Sequence, residues 1–273
     1  MNHVAAPLTL FSNLTALAFL ATLCLLGDAP TLAAEPTALA ARVEGAGSTT
    51  IILVSGLGDT LDAWAGVQPA IAAHCARTLA YNRAGYEGSA PANGVRDAAN
   101  IVEELRAELR RRQIFPPYVL VGHSLGGLYV QYFARQFPGE VSGLLLVDST
   151  HWNQQLPSTL GVATIGGPQN GFVYVPLIMR RELADSVQAG EQVHASPPAG
   201  SVPTIVLSRT RHLRTETPDA ARLAASLQQE IAADFPLARH VSVADSGHYI
   251  QRDQPSVVIN YARQLAGCLP VGD

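Results

Sequence analysis

The stretch Val119-Leu-Val-Gly-His-Ser-Leu-Gly-Gly-Leu128 decides the fold. Tyr118 to Val121 is short, apolar and rich in Val, as a buried strand is. Leu125 to Phe137 reads as a helix. Between them lies Gly122-His-Ser-Leu-Gly126, a G-x-S-x-G pattern in a strand-to-helix turn. Such a turn is so sharp that its central Ser projects alone above the sheet, and glycines on either side leave room for neighbouring chain. The helix that follows aims its first N–H groups and the positive end of its dipole at the same place. Ser124 is therefore the candidate nucleophile. His123, at the variable second position, is expected to pack beside the turn.

Outward from this turn, short apolar runs alternate with amphipathic stretches. Strands are expected at 51–55, 78–81, 141–147, 204–207 and 240–243, and helices at 62–76, 97–113, 218–234 and 255–266. In 97–113, Ile101, Val102, Leu105 and Leu109 form one stripe opposite Glu103, Glu104 and Glu108, with Asp97 as N-cap. The helices at 218 and 255 begin with Pro, which suits a first helical turn. Strand–helix alternation implies parallel strands with crossover helices, so the fold class is α/β: a mostly parallel central sheet with helices on both faces. Residues 149–202 break the alternation, with weak periodicity and several Gly and Pro. A stretch this long reads as a cap insertion over the sheet.

Composition narrows the function. The 273 residues are 48% apolar and 15% charged, with a net charge of −4. This excludes a disordered chain and gives no basic footprint for a nucleic acid. All 18 basic residues are Arg, which excludes a Schiff-base or P-loop lysine. Cys24, Cys75 and Cys268 form no CxxC pair, so no metal is expected. Residues 8–27 carry no charge and are followed by small residues up to Ala34. They read as a secretory signal peptide over 1–34, leaving a single domain at 35–273 that is exported to the periplasm or beyond. Cleavage after Ala33 or Ala34 fits best; an uncleaved anchor over 8–27 is the lesser alternative. After removal of the leader, no stable membrane contact is expected.

Four segments, in order, resemble the α/β-hydrolase fold family over most of residues 48–267. Val54-Ser-Gly-Leu-Gly58 is similar to the family's loop at the end of an early strand, with Ser55 where a His is usual. Tyr81-Asn-Arg-Ala-Gly-Tyr-Glu-Gly-Ser89 is similar to its D-x-x-G-x-G-x-S loop. The third is the turn at Ser124, and the fourth Ser246-Gly-His-Tyr-Ile-Gln-Arg-Asp-Gln-Pro255. The resemblance implies a serine hydrolase of the esterase-like branch. Its base is His248, which follows the last strand; His74, His151, His194, His212 and His240 lie in helices, the cap, loops or a strand. The acid usually follows the strand at 204–207, but Ser208-Arg-Thr-Arg-His-Leu-Arg214 holds no carboxylate. Asp148, one strand earlier as in pancreatic-type lipases, is the first candidate, with Glu216 and Asp219 behind it. The oxyanion donors implied are the backbone N–H groups of Leu57 and Leu125.

The expected reaction is acyl transfer to water, with a small-molecule ester or related acyl compound as substrate and no cofactor. In the cap, Phe172, Val173, Tyr174, Val175, Leu177, Ile178 and Met179 either line an acyl pocket or pack the cap onto the body. The same framework serves peptidases, lactonases and haloperoxidases, and also binding modules that have lost the nucleophile or base. Dehalogenase and epoxide-hydrolase relatives use Asp where this chain has Ser124. In the family's topology the helices ending at Cys75 and before Cys268 share one face of the sheet, which suggests a Cys75–Cys268 disulfide in an oxidising compartment.

Overall fold

Side chains along a strand point alternately to opposite faces, and here both alternations are apolar. The computed structural model describes residues 38–73, 76–154, 176–213 and 216–268. Within them lie strands β1 Ala41–Glu44, β2 Thr50–Val54, β3 Arg77–Tyr81, β4 Tyr118–His123, β5 Val141–Val147, β6 Thr204–Arg209 and β7 Ala238–Val243. They form one sheet in the order β1-β3-β2-β4-β5-β6-β7. β1 pairs antiparallel with β3 at the edge; the other pairings are parallel.

The helices are α1 Gln68–Ala72, α2 Ala98–Arg111, α3 Leu125–Gln136, α4 Leu177–Ala195, α5 Pro218–Ala233, α6 Ile250–Asp253 and α7 Pro255–Leu265. Ile52, Val54, Leu120, Leu144, Leu146 and Val206 face a core closed by α2, α3, α4 and α5. The intervening Ile51, Leu53, Val119, Val121, Leu145, Val147 and Leu207 face a second core closed by α1 and α7. The α/β class with helices on both faces is the fold observed. Among the described residues, no helix is long and apolar enough to cross a membrane.

Three elements differ from the sequence expectation. The helix expected over 62–76 is a 3-10 turn, Leu61–Trp64, followed by the short α1. Pro69 lacks an N–H and is tolerated only in a first turn, so the helix restarts just before it. The short edge strand β1, Ala-Arg-Val-Glu, is too polar and brief to stand out. The third difference is α4, a 19-residue helix inside the presumed irregular cap. The N-cap at Asp97 is as expected: its carboxylate accepts from Asn100 N–H at 2.9 Å. The leader 1–34, His74, Cys75 and cap residues Phe172 to Val175 lie outside the described residues.

Candidate active site

The end of β4 and the start of α3 meet at Ser124, whose φ of 51° and ψ of −124° are rare for a residue with a side chain. The surroundings impose this backbone. Ser124 N–H donates to Val147 O at 3.1 Å, and Ser124 O accepts from Thr150 N–H at 3.0 Å. The flanking glycines allow the close approach: a Cβ on Gly126 would lie 2.4 Å from Val54 O, and one on Gly122 would lie 2.5 Å from Val130 Cγ2. Helix α3 thereby starts directly against the end of β2. Leu125 N–H belongs to the first turn of α3, where an amide has no intrahelical carbonyl partner.

Asp148 follows β5 directly, with φ of 41°, and is buried. Its Oδ2 lies 2.6 Å from His248 Nδ1. Burial alone would raise the Asp148 carboxyl; the hydrogen bond from His248 and the charges of His248 and Arg209 outweigh it and hold the group below its ordinary value. An ionised carboxylate can only accept, so His248 carries its proton on Nδ1 and presents a lone pair on Nε2. The His248 ring lies 4.7 Å, centroid to centroid, from that of His123, the residue before Ser124. His123 Nε2 is 2.9 Å from His248 O. A carbonyl only accepts, so in His123 the protonated nitrogen is Nε2. His123 packs beside the turn, as expected, and also anchors the loop that carries His248.

The other two acid candidates lie elsewhere. Glu216 is bound to Arg209, with Nη2 to Oε1 at 2.6 Å. Asp219, in the first turn of α5, pairs with Arg222 on the surface. Of the three carboxylates, Asp148 is the one joined to His248.

The loop after β2 carries Leu57. Its neighbour Gly56 lies against Ser124, since a Cβ there would stand 3.2 Å from Ser124 Cβ. In place of a His, Ser55 holds the loop from inside, its Oγ donating to Thr60 O at 2.9 Å. Arg83, in the loop after β3, donates to Ser55 O at 2.6 Å and to Gly56 O at 2.9 Å. Both carbonyls are thereby held in place. Arg83 is clamped in turn by Glu182 of α4 through a two-pronged pair at 2.7 and 2.8 Å. Tyr86 completes the cluster: its OH donates to Glu182 Oε2 at 2.6 Å and accepts from Gly58 N–H at 3.0 Å. Burial pushes that phenol up to about 12, so it remains a donor. Sequence reading did not find Arg83, Tyr86 and Glu182; the signal available was a charged residue at a core-facing position of α4.

At the cap, Met179 lies over Gly58 and Ile178 over Gly85, so these two pack the start of α4 against the loops after β2 and β3. Leu177 is 58% exposed. No group of three or more His, Cys, Asp or Glu side chains among the described residues could hold a metal ion.

With this geometry in place, the comparisons agree on the class. The sequence profile described as alpha/beta hydrolase fold matches residues 49–165. An uncharacterized protein of Bacillus subtilis, YqjL, is 25% identical over 230 residues, 79% of this chain and 82% of its own. A triacylglycerol lipase of Burkholderia plantarii is 31% identical over 128 residues, 44% of this chain and 35% of its own. The match to another Bacillus subtilis protein, YbdG, spans 33% of that protein's length. Among solved structures, a thermophilic esterase from Thermogutta terrifontis superposes with a TM-score of 0.61 at 20% identity, covering 84% of this chain and 93% of its own. The chain has the α/β-hydrolase fold, and its residues 49–165 match that family's profile.

Proposed function

We propose that this protein is a serine hydrolase that cleaves a carboxylic ester, or a related acyl bond, of a small molecule. The observation that carries the reading is the 2.6 Å contact between His248 Nδ1 and Asp148 Oδ2 beside the strained turn at Ser124. Ser124 Oγ attacks the carbonyl carbon as His248 Nε2 takes its proton, and Asp148 holds the imidazole in the required tautomer. The N–H groups of Leu57 and Leu125 receive the oxyanion. His248 then returns the proton to the leaving alcohol, and water, activated the same way, releases the acid. An ester asks least of the general acid, because its leaving group is an alkoxide. The similarity of one stretch to a triacylglycerol lipase favours the same class.

The test is a fluorophosphonate probe together with a panel of p-nitrophenyl esters. Labelling at Ser124 with turnover of at least one ester is expected; no labelling and no turnover would sink the reading.

The reading extends to location. The protein is exported by its leader, residues 1–34, and the domain at 35–273 is stapled by a Cys75–Cys268 disulfide. In support, Cys268 is a disulfide sulfur, α1 ends three residues before Cys75, and α1 packs against α7, which Cys268 follows.

A further inference from the structure

The stretch directly after β6 is where the resemblance places a triad carboxylate, and Thr210 to Arg214 hold none. Arg209, the last residue of β6, occupies the position instead. Its Nη1 donates to Asp148 Oδ2 at 2.9 Å, the same oxygen that takes His248 Nδ1 at 2.6 Å. Its backbone N–H donates to Asp148 Oδ1 at 3.3 Å. Its Nη2 reaches Glu216 Oε1 at 2.6 Å, and Glu216 Oε2 is fixed by Leu213 N–H at 3.0 Å. The result is a row of alternating charge, His248–Asp148–Arg209–Glu216. Side-chain exposures of 5% for Asp148, 13% for Arg209 and 9% for Glu216 set this row apart from a solvated surface ion pair.

Each member has a distinct consequence. The planar guanidinium fork spans the two carboxylates, one nitrogen to each, and together with the Arg209 backbone N–H on Oδ1 it holds Asp148 at both oxygens. Its positive charge also opposes proton uptake by an imidazole on the far side of that carboxylate. A second carboxylate behind the guanidinium restores the negative charge. We propose that Arg209 and Glu216 are positioning residues that stand in for the carboxylate missing after β6: Arg209 fixes Asp148 against His248, and Glu216 offsets the charge that Arg209 brings. The inference rests on the Ser124–His248–Asp148 reading and extends it.

Other groups face His248 and stay constant in the test. They are His123 at the end of β4 and the neighbouring Tyr249, which lie against the His248 ring, and behind these Asp59 in the loop after β2 and Arg252 on α6. Arg211 and Asp253 pair with each other beside Gly247.

The experiment follows the His248 imidazole by NMR across pH in the full protein, its signals identified by their loss in His248→Gln. The pH profile of fluorophosphonate labelling at Ser124 is recorded in parallel. In Arg209→Gln the His248 midpoint rises by about 1 pH unit, and in Glu216→Gln it falls by about half a unit. The double variant lies between the two, about half a unit above the native value. Arg209→Lys keeps the charge and the midpoint but loses the fork, and labels more slowly. General loosening would move both single variants in one direction, so opposite signs separate the proposal from misfolding. Midpoints unchanged, or moved the same way, in the two single variants overturn it even where Ser124 labels normally. Wild-type Ser124 that never labels overturns the hydrolase reading, and any role of the pair in turnover with it.

Discussion

His248 can orient its lone pair toward Ser124 only while Nδ1–H has an acceptor, and Asp148 is that acceptor. Replacing it by Asn keeps the shape but offers the ring an amide whose donor end favours the opposite tautomer. Asp148→Asn is therefore expected to lower kcat by roughly 10⁴-fold with little change in KM. The corresponding Asp219→Asn, on the surface pair with Arg222, leaves kcat within about twofold. Steady-state kinetics on whichever p-nitrophenyl ester turns over checks both, and near-native activity in Asp148→Asn refutes the assignment. At this scale the sequence was informative where chemistry is local: Ser124 through its flanking glycines, His248 through its place after the last strand. Asp148 needed the comparison of two strand ends. Arg209 was invisible, because its partner Asp148 sits 61 residues away in sequence and is brought near only by the pairing of β5 with β6; Glu216 was named as an acid candidate, but its link to the site runs through Arg209.

Helix α4 was missed for a reason visible in its buried face. Ile178, Glu182, Leu183, Ser186, Ala189, Gly190 and Val193 have helical spacing, but a charge, a hydroxyl and a glycine dilute the apolar stripe. Each exception meets something specific. Glu182 binds Arg83 and Tyr86. Gly190 lies so close to the chain at Trp152 that a Cβ would come within 2.1 Å of its carbonyl oxygen. Polar burial hides an element from a hydropathy pattern while fixing its position. Arg83 is 2% exposed and Glu182 0%, so removing one partner strands a buried charge. Glu182→Gln is expected to cost about 3–5 kcal/mol of stability. It should also lower kcat more than it raises KM, because the Leu57 loop loses its brace. Chemical denaturation with kinetics on the folded variant tests this; a change under about 1 kcal/mol would mean the pair holds nothing.

For the molecule as a whole, two predictions concern stability. His123 is fully buried, and desolvation holds its imidazole below the ordinary value against the opposing pull of Asp59. The unfolded chain then binds a proton that the folded chain refuses, so stability is complete above the ordinary His value of about 6.5 and declines as pH falls below it. Asp148 is held below the ordinary carboxylate value, so its contribution persists to lower pH and is lost only as pH falls past about 4. Thermal unfolding between pH 8 and 3 should show two stages of loss, and a Tm flat down to pH 4 contradicts the first. The disulfide proposal predicts a Cys75–Cys268 peptide in a non-reducing digest of the exported protein, and a loss of about 5 kcal/mol on reduction. A free Cys75 thiol would refute it.

The sheet order gives these pieces a timetable. Ser124, the Leu57 loop and Asp148 belong to β2, β4 and β5, in the first part of the chain, whereas His248 comes 100 residues after Asp148 and past the final strand. On the proposed reading, a ribosome makes the candidate nucleophile, the oxyanion loop and the acid long before it makes the base. Until β7 and His248 are added, such a growing chain would hold a serine with nothing to take its proton, and would stay inert toward the esters of the cell that synthesises it.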